Sequence, residues 1–91
     1  MTGDQEIETL RREIERVDRE ILERVAERVR LAQRIGEAKR DGRRGALDTG
    51  REAAVIRRAA ETARDAGVDP EGVRQLYWTL IGLCRNVQME E

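Results

Sequence analysis

From Ile7 to Lys39 apolar residues recur at steps of three and four, with no proline to interrupt them. Ile7, Leu10, Ile14, Val17, Ile21, Leu22, Val25, Val29, Leu31, Ala32 and Ile35 form the stripe, which predicts one amphipathic helix. Opposite charges at i,i+4 (Glu8/Arg12, Glu15/Arg19 and Glu20/Arg24) are expected to support it on the solvent side. About 33 residues rising 1.5 Å each make a rod of roughly 50 Å. A compact chain of this length has a radius of gyration near 12 Å and so spans only about 30 Å. The rod overshoots its own domain, and the overhang would leave Ile and Leu in water. A partner rod from a second copy resolves this, so an interlocked helical homodimer is expected.

Composition supports an all-α reading. The chain has 91 residues, one proline and two aromatic residues, Tyr77 and Trp78, and is rich in Glu, Arg, Ala and Leu. A single domain over 1–91 is expected. Histidine is absent and Cys84 is the one cysteine. These counts exclude an internal disulfide, a His-ligated zinc and a Ser-His-Asp triad. No apolar run approaches the roughly 18 residues of a membrane span. The start, MTGDQEIETL, lacks a basic segment followed by an apolar core, so no secretory signal and a cytoplasmic location are expected. Interleaved charges summing to −1 argue against a dedicated nucleic-acid surface. The short cluster Arg40, Arg43 and Arg44 reads as a solvated connection. Of 18 basic residues 17 are Arg, which singles out Lys39 as the position where a compact ammonium replaces the usual fork.

Two further helices follow. Gly42 and Gly45 punctuate the end of the first. The second starts near Thr49, with Asp48 or Thr49 as N-cap and Thr49-Gly-Arg-Glu52 as a capping box. Its stripe is Val55, Ile56, Ala59, Ala60 and Ala63, and Gly67 is its stop. Asp69-Pro70 announces the third, an N-cap followed by proline in the first turn. Its stripe is Val73, Leu76, Tyr77, Leu80, Ile81, Cys84, Val87 and Gln88.

Some residues fit this packing poorly. Ile7, Ile14, Ile21, Arg28 and Ile35 share one heptad position, so Arg28 points where isoleucine points elsewhere. A buried arginine without an anion is costly. It pairs with a carboxylate of another helix, snorkels to the edge, or clasps a small anion together with Lys39. Lys39 lies 11 residues on along the same face, about 16–17 Å away. Asp48 and Glu52 serve as caps or as site groups, and Arg51 as a surface charge or a site group. Cys84 and Gln88 either pack and fray or face the same pocket. Gly36 and Gly82 each cost about 1 kcal/mol inside a helix, for which close helix approach or room for a ligand is the reason. Seven of these residues (Arg28, Lys39, Asp48, Arg51, Glu52, Cys84 and Gln88) can line one pocket in a three-helix packing.

The ordered set resembles a family. Leu10-Arg11-x-x-Ile14-x-x-x-Asp18, Ala26-Glu27-Arg28-x-x-Leu31-Ala32, Ile35-Gly36-x-x-Lys39, Asp48-x-x-Arg51-Glu52 and a closing Gln88 are similar to the all-helical class of chorismate mutases. The resemblance covers Leu10 to Gln88. It implies two interlocked chains and the rearrangement of chorismate to prephenate on the route to phenylalanine and tyrosine, with no cofactor and no metal. It further implies that Arg28 and the partner's Arg11 hold the two carboxylates of chorismate. Lys39 and Gln88 would donate to the ether oxygen of the breaking bond, Glu52 and Asp48 would hold the ring hydroxyl, and Arg51 would help at the wall. Cys84 stands where the family often has a serine, and a thiol is the weaker donor. The stretch Gly45-Ala46-Leu47 matches the family's loop in length, with less typical residues.

Helix geometry bears on Arg11 separately. It lies about 25 Å before Arg28 along a straight helix, too far to reach a ligand held between Arg28 and Lys39 of its own chain. Placing it opposite a partner's ligand near residue 33 sets the two-fold axis near residue 22. Two other readings remain open at this level, an isochorismate-pyruvate lyase with a similar Lys-Arg pocket and a non-catalytic helical dimer.

Overall fold

The computed structural model describes residues 2–40 and 49–89, apart from the side chains of Arg40, Thr49, Val87, Gln88 and Met89. These residues form α1 (Gly3–Arg40), α2 (Thr49–Ala66) and α3 (Pro70–Met89). Among them no helix is long and apolar enough to cross a membrane. The punctuating Gly42 and Gly45, the Arg43/Arg44 cluster, the Gly45-Ala46-Leu47 stretch and the candidate cap Asp48 lie outside the described residues.

α1 begins four residues earlier than its apolar stripe. Thr2 and Gln5 form a reciprocal capping box: the Gln5 amide donates to Thr2 Oγ1 at 3.2 Å, and the Thr2 amide donates to Gln5 Oε1 at 2.9 Å. Two otherwise orphaned backbone donors are thereby satisfied. The i,i+4 pairs differ from those expected. Glu20 pairs back with Arg16 at 2.7 Å, and Arg24 pairs forward with Glu27 at 2.6 Å. Exposed pairs of this kind are each worth only about 0.3–0.5 kcal/mol, so partners exchange easily.

The turn between α2 and α3 is built by local chemistry. Gly67 takes φ +78°, which a side chain would strain. Its amide donates to the Arg64 carbonyl at 3.2 Å, and the Val68 amide donates to the Ala63 carbonyl at 2.8 Å. This is a Schellman closure. Asp69 then caps α3, its carboxylate accepting from the Glu71 and Gly72 amides, both at 3.2 Å. Asp69→Ala is expected to lower stability by about 1 kcal/mol, read as a lower urea midpoint with unchanged helicity at low denaturant. An unchanged midpoint would mean that the cap contributes nothing.

α3 packs against both α1 and α2, whereas α1 and α2 make no direct backbone approach to each other. Among the described residues the buried apolar ones are few: Ala32, Ile56, Ala60, Ala63, Ile81 and Cys84. Leu76, expected on the inner stripe of α3, is exposed. So is the N-terminal half of α1, where every residue up to Arg24 is exposed. Ile14 is 58% and Leu22 65% exposed. The radius of gyration is 17.2 Å and the longest extent 61 Å, so the overhang read from the sequence is present. The accessible surface is 7337 Å². A compact monomer of this mass exposes about 5,400 Å², leaving an excess of about 1,900 Å².

Gly82 is not explained by close helix approach, since a Cβ built there meets nothing within 4 Å. Gly36 is buried.

Candidate active site

Because α1 and α2 stand apart, α3 forms the floor of a trough between them. This cleft has a volume of about 240 Å³. α1 supplies Arg28, Leu31, Ala32 and Ile35, α2 supplies Arg51, Glu52 and Val55, and α3 supplies Ile81, Cys84 and Arg85. The helical repeat brings Arg28 there. It lies one turn before Ala32, which is buried, and so projects from the same face.

Arg28 is half-buried, and its Nη1 donates to Cys84 Sγ at 3.0 Å. Cys84 is 2% exposed, so the thiol both packs and braces the guanidinium. Arg28 thus stays in the cleft, braced by the thiol, and does not escape to the helix edge. Arg51 and Glu52 enter from the first turn of α2, where the helix dipole favours the carboxylate. Both Glu52 oxygens accept from one guanidinium: Arg85 Nε donates to Oε2 at 3.2 Å, and Arg85 Nη2 is paired with Oε1. The partner half of the expected capping box, the side chain of Thr49, lies outside the described residues.

Arg28, Arg51, Glu52 and Cys84 are therefore brought together, as the sequence anticipated. Lys39 is half-buried in the last turn of α1, beyond the residues that line the cleft. Arg11 is exposed on the overhanging half of α1, remote from this cleft. Asp48 and the side chain of Gln88 lie outside the described residues, although the backbone of Gln88 continues α3. Arg85 is the residue that sequence reasoning missed. A signal was available, since Arg85 follows Ile81 by four positions and so shares its face, the same anomaly that singled out Arg28.

Among the described lining groups, three guanidiniums face one carboxylate, a formal charge of +2. Low-dielectric walls from Ile35, Val55 and Ile81 strengthen that field. Such a cleft suits a small dianion. A larger hollow of about 440 Å³ between α2 and α3 is lined mainly by apolar side chains with Arg58 at its edge, and has no comparable set of charges.

The model of the type II chorismate mutase family matches residues 10–89. The chain belongs to that family. A search of curated proteins finds no match to the chain. Membership in the mutase family supports chorismate mutase activity in general, an isomerase-type reaction. The match takes in α1 from Leu10 onward, all of α2 and α3, and every residue that lines the cleft.

Proposed function

We propose that the chain rearranges chorismate to prephenate as a homodimer, with each site completed by the partner's Arg11. The observation that carries this reading is the charge of the cleft. A formal +2 from Arg28, Arg51, Arg85 and Glu52 matches a dicarboxylate in a chain of this family. Its place would be the route to phenylalanine and tyrosine.

The reaction is a concerted pericyclic shift, in which one carbon–oxygen bond breaks as one carbon–carbon bond forms. No proton is transferred and no enzyme–substrate bond is made. The protein's task is to hold a flexible dianion in its diaxial reactive shape. It must also meet the negative charge that grows on the ether oxygen. Arg28 and the partner's Arg11 would take the two carboxylates. Lys39 and Gln88 would donate to the ether oxygen, the first with a full charge and the second as a neutral donor. Glu52 and Asp48 would hold the ring hydroxyl, with Arg51 at the wall. Cys84 would act through Arg28, which it already touches.

Support for the dimer comes from the surface. The excess of about 1,900 Å² over a compact monomer is of the size that a permanent homodimer buries per subunit. The apolar stripe continues into a groove of about 430 Å³ between α1 and α3, lined by Ile21, Val25, Leu76, Leu80 and Leu83. An antiparallel crossing of two α1 rods near residue 22 would cover the stripe and bring each Arg11 to the other chain's cleft.

Incubating the purified protein with chorismate, following its ultraviolet absorbance and identifying the product chromatographically, tests the reaction. Saturable conversion to prephenate is expected. A folded protein that leaves chorismate untouched would overturn the reading, and isochorismate would then separate a lyase from an inert dimer. The shared site has its own test. Arg11→Ala and Lys39→Ala are each expected to be nearly inactive. Mixing them with verified subunit exchange should restore up to about a quarter of wild-type activity, because a mixed dimer carries one intact site. No recovery would refute a site built from two chains.

A further inference from the structure

We infer that Arg85 is a positioning residue for the mutase reaction, acting through the carboxylate of Glu52. The inference rests on the mutase reading of the cleft. Arg85 and Glu52 belong to different helices, 33 positions apart, and their side chains are only 33% and 17% exposed. The guanidinium engages both carboxylate oxygens at once, through Nε and Nη2. A two-point fork fixes the plane of a carboxylate as well as its location, which a point charge does not. Each Glu52 oxygen keeps a further lone pair that can accept a hydroxyl proton.

Two consequences follow for a dianionic substrate. A lone carboxylate in this cleft would repel the ligand, and Arg85 neutralises it on the spot. A carboxylate swinging about three side-chain torsions would hold the ring hydroxyl in many orientations, whereas the clamped one holds it in few. For a reaction whose barrier is largely conformational, the second effect falls on the fraction of bound substrate in the reactive shape, hence on kcat. Arg85 reaches the cleft because α3 turns about 100° between Cys84 and Arg85, setting the thiol against Arg28 and the guanidinium against α2.

The test compares wild type, Arg85→Met, Arg85→Lys, Glu52→Gln and the Arg85→Met/Glu52→Gln double variant on chorismate, each checked for helicity and assembly. Arg85→Met is expected to lower kcat at least about tenfold, with KM changed by less than about threefold. Arg85→Lys should recover part of the loss, keeping the charge without the fork. In the Glu52→Gln background, Arg85→Met should cost less than about twofold more, since the two residues act as one unit. A raised KM with kcat intact would overturn the inference by showing that Arg85 meets the substrate itself. Full additivity with Glu52→Gln would overturn it as well.

A ligand-free readout separates this inference from the mutase reading. The Arg85 Nε–H signal in the ¹⁵N spectrum should be exchange-protected in wild type and lose that protection in Glu52→Gln. An active wild type without the protected signal overturns the role of Arg85 alone. An inert wild type with the signal intact overturns the mutase reading and leaves the fork a structural clamp.

Discussion

Lys39→Ala is expected to lower chorismate turnover by at least about a hundredfold, with helicity and assembly retained. Removing one preorganised donor from the atom where charge develops costs about 10²–10³ in kcat, and Lys39 would bring a full charge to that atom. The ether oxygen is nearly neutral in the bound substrate and becomes negative as its bond stretches. An ammonium placed there therefore binds the transition state more tightly than the ground state. Lys39 is half-buried in the last turn of α1, where the helix dipole also favours a cation. Its loss should thus fall on kcat more than on KM. Lys39→Arg should not rescue, because the flat fork cannot occupy the space of a compact point donor. Arg28→Ala should also abolish most activity, with a fall in kcat and a rise in KM, since the guanidinium would both bind a carboxylate and hold the substrate in its reactive shape. Near-normal turnover in Lys39→Ala or Arg28→Ala, measured on a protein with wild-type circular dichroism, would contradict the assignment of these residues.

Ile14→Asp provides the second large effect. In the isolated chain Ile14 is 58% exposed, and a surface substitution of that kind changes stability by no more than about 0.5 kcal/mol. Across the proposed dimer seam the same change would bury one carboxylate from each chain and remove two apolar anchors, at a cost of several kcal/mol. On the proposed reading the cleft would depend on that seam for Arg11, and the few apolar residues buried among those described in one chain make a weak core. Dissociation, unfolding and loss of turnover should therefore occur together. Sedimentation equilibrium and thermal melts at several concentrations measure this, with a wild-type melting temperature that rises with concentration. A variant with the wild-type mass and melting temperature would remove the stripe from any interface.

Much of the molecule was legible because its signals are local. Periodicity placed the three helices, Gly67 and Asp69 set the α2–α3 turn, and the stripe of α1 announced a rod longer than its domain. The start of α1 at the Thr2–Gln5 capping box was readable by the same rule applied earlier in the chain. The ion pairs of α1 were not, because exposed charges at i+3 and i+4 compete for partners on nearly equal terms. Leu76 was misplaced because the stripe of α3 is wider than the face that α1 and α2 cover within one chain.

By itself the sequence determined that the chain is helical, that α1 overshoots its domain, and that Arg28 stands in an apolar row where a charge requires a purpose. These follow from spacing along one element, which repeats every 3.6 residues and needs no neighbour to be read. Only the tertiary structure decided what meets across elements. It seated the Cys84 thiol under the Arg28 guanidinium and left a trough because the backbones of α1 and α2 stand apart. It joined Glu52 and Arg85 in a fork. The distance between Glu52 and Arg85 along the chain says nothing of their approach; the packing of α3 against α2, where Ile56, Ala60 and Ile81 are buried, brings them together.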